Sequence, residues 1–139
     1  MSASKKPVFT HHRLEVYHLS LRMAALAKAV ADSEPLHPAR AAKRAEDRRT
    51  PRGYRSYADH LKRSSGNTAL LIGEGANRYS SGMKRQRYEE ALGEAGEVAV
   101  VAEVLVTLGL VPEADTTDLI HHADRVCAML TRLVKRHST

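Results

Sequence analysis

The chain of 139 residues has one cysteine, no tryptophan and one phenylalanine. The lone Cys127 excludes an internal disulfide framework and any zinc module built on several cysteines. Aromatic residues make up 4% of the chain, so a core has to come from aliphatic side chains and alanine. Eight glycines and five prolines are too few for a β-sandwich or barrel, which needs a turn signal every ~10 residues. Long apolar runs are missing as well. The longest, Val98 to Val111, holds 14 residues and carries Glu103, short of the ~20 apolar residues that a membrane span requires. No apolar stretch follows Lys5 and Lys6. The reading is therefore of a cytoplasmic protein, without a secretory signal or a membrane segment.

What is present is helical periodicity and positive charge. Hydrophobic residues are 42% of the chain, enough for a single domain over residues 1–139 with a real core. Four segments carry the alternating 3–4 spacing of a helix face. His12 to Ala31 has two adjoining seams: Val16, Leu19, Met23, Leu26 and Val30, then Leu14, Tyr17, Leu21 and Ala24. Together they make a face wider than contact between two helices requires. Tyr54 to Glu74 carries Tyr54, Tyr57, Leu61, Ser64, Thr68 and Leu71, widened by Ala58, Ser65, Ala69 and Ile72. Gly66 and Gly73 interrupt this segment at a cost of about 1 kcal/mol each relative to alanine, which implies close approach of a neighbouring backbone.

The third segment starts after Ser80-Ser81-Gly82, where either serine can cap. It stops at Gly109, just before Pro112. Its inner face is read as Tyr88, Ala91 or Leu92, Ala95, Ala99, Ala102, Val106 and Leu108. Thr117 to Arg136 presents Leu119, Ala123, Val126, Leu130 and Leu133. Asp115 and Asp118 lie at its start and Arg132, Lys135 and Arg136 at its end, complementing the helix dipole. The last two connections are short, which makes those neighbours antiparallel. The expected fold class is all-α, an up-down-up-down four-helix bundle with a long basic loop, residues 32–53, between helices 1 and 2. The helix propensity of Ala39 to Arg49 favours a short extra helix or a partly ordered arm there.

That connection carries most of the net charge of +6. Arg40, Lys43, Arg44, Arg48, Arg49, Arg52 and Arg55 are opposed only by Glu46 and Asp47, which leaves +5 between residues 40 and 55. Arginine predominates, and a guanidinium can hold phosphate through two hydrogen bonds. Lys62, Arg63, Arg78, Lys84, Arg85 and Arg87 are expected to add charge near the turn between helices 2 and 3. Such a surface binds polyanions with steep salt dependence, without reading base sequence. Tyr54 and Tyr57 have rings that can stack on bases, but their place on the apolar seam assigns them to the core.

Other chemistry finds less support. Glu15-x-x-His18 and Asp118-x-x-His121 have the spacing of ligands in a di-iron bundle, yet Glu15 and His18 lie off both apolar seams of helix 1. His11-His12 and His121-His122 read as surface pairs. Glu74 and Glu97 fall near apolar seams and need partners, for which Arg63 or Arg78 are candidates. Cys127 sits on the apolar side and reads as an inert thiol. The sequence holds neither a phosphate loop nor a nucleophile elbow. No catalytic residue, metal or cofactor is expected.

Three stretches carry a resemblance: Phe9 with Leu14-Glu15-Val16-Tyr17; Leu61 to Ser65 leading to Ile72-Gly73-Glu74-Gly75 and Arg78; and Tyr88, Ala91, Gly93 and Glu97 leading to Leu108-Gly109. Together they resemble the four-helix-bundle family of proteins encoded in intervening sequences of bacterial 23S ribosomal RNA. Leu71 to Arg78 is similar to that family's Asn-Ile-Ala-Glu-Gly-x-Gly-Arg pattern, with Leu71, Gly73 and Asn77 departing from it. Ala91, Gly93 and Glu97 match Ala-Arg-Gly-Ser-x-x-Glu, with Leu92 and Glu94 departing. The resemblance implies a ring-like homopentamer without assigned activity. It extends to the accessory proteins of diversity-generating retroelements, basic bundles that bind a reverse transcriptase and nucleic acid. The expected function is a non-enzymatic, oligomeric, nucleic-acid-binding accessory protein, with a reverse transcriptase as candidate partner. The alternative is a protein–protein scaffold that binds no nucleic acid.

Overall fold

The computed structural model describes residues 8–33 and 49–138, with side chains between 49 and 55 left aside. Four helices account for the fold: α1 (Glu15–Ala31), α2 (Arg49–Ala76), α3 (Ser81–Thr107) and α4 (Thr117–Arg136). Sequence neighbours pack against one another, and α4 closes back onto α1. This is the expected all-α, up-down-up-down bundle, with no strand among the described residues. The short helix expected over Ala39–Arg49 lies outside them, apart from Arg49 itself.

The helix ends follow from local chemistry. Helix 1 starts three residues later than its periodicity suggests, because Thr10–Arg13 forms a separate 3₁₀ turn and Leu14 is extended. The Phe9 N–H donates to His12 Nδ1 at 3.0 Å, which holds that turn together. Helix α2 starts five residues earlier than expected. Pro51 falls in its first turn, where a missing N–H leaves no helical bond unmade, so residues 49–53 belong to the helix and not to the loop. Ser80 caps α3, accepting from the Met83 N–H at 3.1 Å. Gly109, at φ +72°, closes α3. Leu110 N–H donates to Leu105 O at 2.9 Å and Gly109 N–H to Val106 O at 3.0 Å, a paired closure that favours glycine at the left-handed position.

The core is aliphatic, as the shortage of aromatics requires. Val16, Leu19, Met23 and Val30 of α1 meet Leu61 and Ile72 of α2 and the full expected seam of α4. The second seam of α1 is only partly covered, and Leu21 is 45% exposed. Helix α3 departs from its expected face. Val98, Val101 and Leu105 are buried with Tyr88, Ala91, Ala95 and Ala102, while Leu108 is 55% exposed. Residues 98–108 are apolar on nearly every side, so spacing alone leaves the buried face undetermined.

Candidate nucleic-acid interface

The antiparallel bundle sorts the basic residues into separate places. Arg40, Lys43, Arg44 and Arg48 lie outside the described residues. Arg49, Arg52 and Arg55 belong to the first two turns of α2. Lys62 and Arg63 do not sit near the α2–α3 turn, as expected from sequence, but about 14 residues before the end of α2, roughly 20 Å away along the helix. There Lys62 Nζ pairs with Asp32 Oδ1 at 3.2 Å. Asp32 also binds Lys28 Nζ at 2.6 Å. Hydrogen bonds from Lys28 and then Lys62 hold its carboxyl below the ordinary range. Arg63 forms no close ion pair among the described residues, but its charge acts on Glu97.

Arg78, Lys84, Arg85 and Arg87 do gather at the α2–α3 turn, but three of them are engaged within the chain. Lys84 Nζ donates to Ala76 O at 2.8 Å and Gly75 O at 3.4 Å, satisfying carbonyls at the end of α2. Arg87 pairs with Glu74 at 3.4 Å and with Glu90 at 3.0 Å. Arg85 Nε lies 3.8 Å from Glu89. Arg78 alone of this set has no carboxylate partner among the described residues.

The same end of the bundle receives the start of α1 and the end of α4. His11 Nδ1 meets Asn77 Nδ2 at 2.9 Å. His137 meets Ser81 at 3.3 Å and lies against the ring of Tyr88. Burial, helped by Lys84 and Arg136, lowers the His137 pKa. Arg13, Arg132, Lys135 and Arg136 therefore belong to this pole too, and sequence reasoning assigned them no part in binding. Among the described residues, the four acids of this pole are already paired: Glu15 with Arg125 at 3.7 Å, Glu74 and Glu90 with Arg87, and Glu89 with Arg85. The pole has a surplus of cations. The signal for it was topological: antiparallel helices bring both chain-distant clusters to one end.

Aromatic rings crowd the same place. Phe9 stacks on His11 with centroids 5.6 Å apart and planes at 14°. His11 meets Tyr17 edge-on at 4.6 Å. His11 and His12 are thus parts of a ring cluster, not a plain surface pair. Phe9 is 55% exposed, and Tyr79, in the α2–α3 turn, is fully exposed. By contrast Tyr57 is half-buried against the core, as expected.

The remaining candidates have structural roles. The hydrogen-bond partners of Glu97 are neither Arg63 nor Arg78: His60 Nε2 lies 3.0 Å and Ser64 Oγ 3.2 Å from its Oε2, and Arg63 contributes only through its charge. The His60 hydrogen bond is the main cause of its lowered pKa. Glu74 likewise takes Arg87 rather than the expected arginines. Both carboxylates are about half exposed. Glu15 and His18 face solvent, with His18 Nε2 on His12 O at 2.8 Å. Cys127 is half-buried, and burial with Asp124 nearby pushes its thiol pKa up. Among the described residues no three His, Cys, Asp or Glu side chains converge as metal ligands. No helix among them is long and apolar enough to cross a membrane.

The glycines fall into two kinds. A methyl group on Gly75 would meet Tyr88 Cε1 at 2.8 Å and Arg87 Cβ at 3.1 Å, so the motif glycine makes room for a buried ring. Gly66 has nothing within 4 Å of a Cβ, and Gly73 only Tyr17 Cε1 at 3.9 Å. The close backbone approach expected at these two positions is therefore not made within the chain. Instead both line an open groove of about 710 Å³ between α1 and α2, with Leu21, Ala24, Ala69 and Leu70. A second groove, between α2 and α3, is lined by Glu74, Glu90, Glu94 and Glu97.

No curated protein matches the chain. A family model, described as 23S rRNA-intervening sequence protein, matches residues 49–132. The match spans α2, α3 and nearly all of α4, and it contains Ile72, Gly75, Tyr88, Ala91 and Glu97, the residues that seat α2 on α3. The chain belongs to the 23S rRNA-intervening sequence protein family.

Proposed function

We propose that the chain works without catalysis, as an oligomeric accessory protein of the cytoplasm that holds nucleic acid through its arginines. The observation that carries this is the concentration of +5 of the net +6 in residues 40–55. The family's name, which refers to an insertion in ribosomal RNA, is consistent with an RNA-linked role. Arg78 adds a cation with no carboxylate partner among the described residues. Self-association, as a homopentamer in our reading, would multiply the charge and cover the apolar α1–α2 groove. A reverse transcriptase is the protein partner that this reading nominates.

A mobility-shift assay at two salt concentrations tests the proposal. Binding should weaken steeply with salt, and Arg44→Ala/Arg48→Ala/Arg49→Ala together should weaken it further while lowering the salt slope by about 2 to 3. Unchanged affinity in that variant removes the segment from the interface. Light scattering that finds one chain mass removes the oligomer. The second reading, a scaffold that binds protein alone, draws on Lys62, Lys84 and Arg87 being engaged internally. It requires that no salt-dependent shift occur.

A further inference from the structure

The pole that joins the start of α1 to the α2–α3 turn combines two features that the charge argument does not need. One is a set of open aromatic faces. Phe9 has one face on His11 and is 55% exposed, and Tyr79 is fully exposed. Sequence and contact link them: His11 binds Asn77, two residues before Tyr79. The other is unpaired positive charge. Arg78 and Arg13 have no carboxylate partner among the described residues, while each acid at this pole already has one. Exposed rings beside free guanidinium groups match what single strands offer, namely open base faces alternating with phosphates. A duplex stacks its base faces on one another and offers mainly phosphate.

We propose that this pole is a platform for single-stranded nucleic acid, with Tyr79 and Phe9 stacking on unpaired bases and Arg78 and Arg13 holding the adjoining phosphates. The inference rests on the nucleic-acid reading above and adds to it a site and a strand type. The platform lies at the end of α2 opposite to Arg49–Arg55, some 30–40 Å away along the helix. The two can thus be broken separately.

The test uses the full chain and fluorescence anisotropy with three probes: an unstructured 15-nucleotide RNA, the DNA of the same sequence and a DNA duplex. Tyr79→Ala should weaken binding to at least one single strand roughly tenfold, the size of one lost stacking contact. Its salt slope and its duplex affinity should not change, and Tyr79→Phe should keep full affinity. Arg78→Ala should instead lower the salt slope by about one. A loss on RNA but not on DNA supports the platform and assigns it to RNA. Equal losses on single strand and duplex overturn the stacking role. If Tyr79→Ala binds like the parent while the Arg44/Arg48/Arg49 variant does not, the platform is wrong and the broader reading stands. If the parent chain binds none of the probes, both fall. Tyr79 touches nothing in the core, so misfolding does not confuse the outcome, and circular dichroism verifies this.

Discussion

The two sides of α2 differ sharply. Toward α3 the helix is closely packed at two levels: Gly75 lies against the buried Tyr88 ring, and Ser64 and His60 reach across to Glu97, with the acidic groove between them. Toward α1 the same helix is left open beside Gly66, Leu70 and Gly73. Small residues occur on both sides. On one they fit a partner inside the chain, and on the other they leave room for something outside it. Glycine in a helix is thus not evidence of tight packing until its neighbour is known.

The largest effect expected from this contrast is on stability. Ile72→Ala, in the closed core, should cost about 2–5 kcal/mol. Leu70→Ala, 65% exposed between the two grooves, should stay within about 0.5 kcal/mol. Denaturant titration of both variants measures the difference, and equal losses would mean that the groove is already filled. The glycines should separate in sign. Gly75→Ala forces the Tyr88 ring to shift and should destabilise by about 1–3 kcal/mol. Gly66→Ala meets nothing and should stabilise the helix by up to about 1 kcal/mol. Thermal melts at low protein concentration read both; if Gly66→Ala also shrinks the particle seen by light scattering, a second copy occupies the groove.

The smallest effect concerns pH. The Glu97 carboxyl is held below its ordinary 4.5, first by the hydrogen bond with His60. A carboxylate with a depressed folded pKa stabilises the fold above its unfolded value, and this contribution fades as pH falls through the folded one. Because Glu97 is half exposed, the amount is limited to about 0.5 kcal/mol. Stability curves of the parent and Glu97→Gln should therefore lie a constant distance apart above about pH 5 and converge below it. A gap that persists in acid would assign the effect to packing.

Much of the fold was legible because three of the four helices are amphipathic. The seam of α4 is buried residue for residue. Spacing failed where amphipathicity failed: residues 98–108, the end of α3 and its cap, are apolar on nearly every side, and Leu108 turned out to face solvent. The site was legible only as a charge excess. Proximity in sequence grouped Lys62 and Arg63 with Arg78, whereas about 1.5 Å of rise per residue carries them far from the turn. The apolar seam rightly assigned Tyr57 to the core, but no periodicity singles out Phe9 and Tyr79, the rings that are exposed among the described residues. Partners across helices, such as His60 for Glu97 and Arg87 for Glu74, depend on which faces meet and at what level.

The connections of the bundle are unequal. Asn77 to Ser80 is tied down by the Ser80 cap and Lys84, and the α3–α4 reversal by Gly109. The passage from α1 to α2 begins from an end that Asp32 fastens to Lys62. Lengthening a loop costs little, about 0.6 kcal/mol for each doubling of its length. The architecture can thus exchange the contents of that one segment for another peptide, shorter or longer, while the rest of the molecule folds as before. What that segment carries becomes a cassette, separable from what keeps the bundle upright.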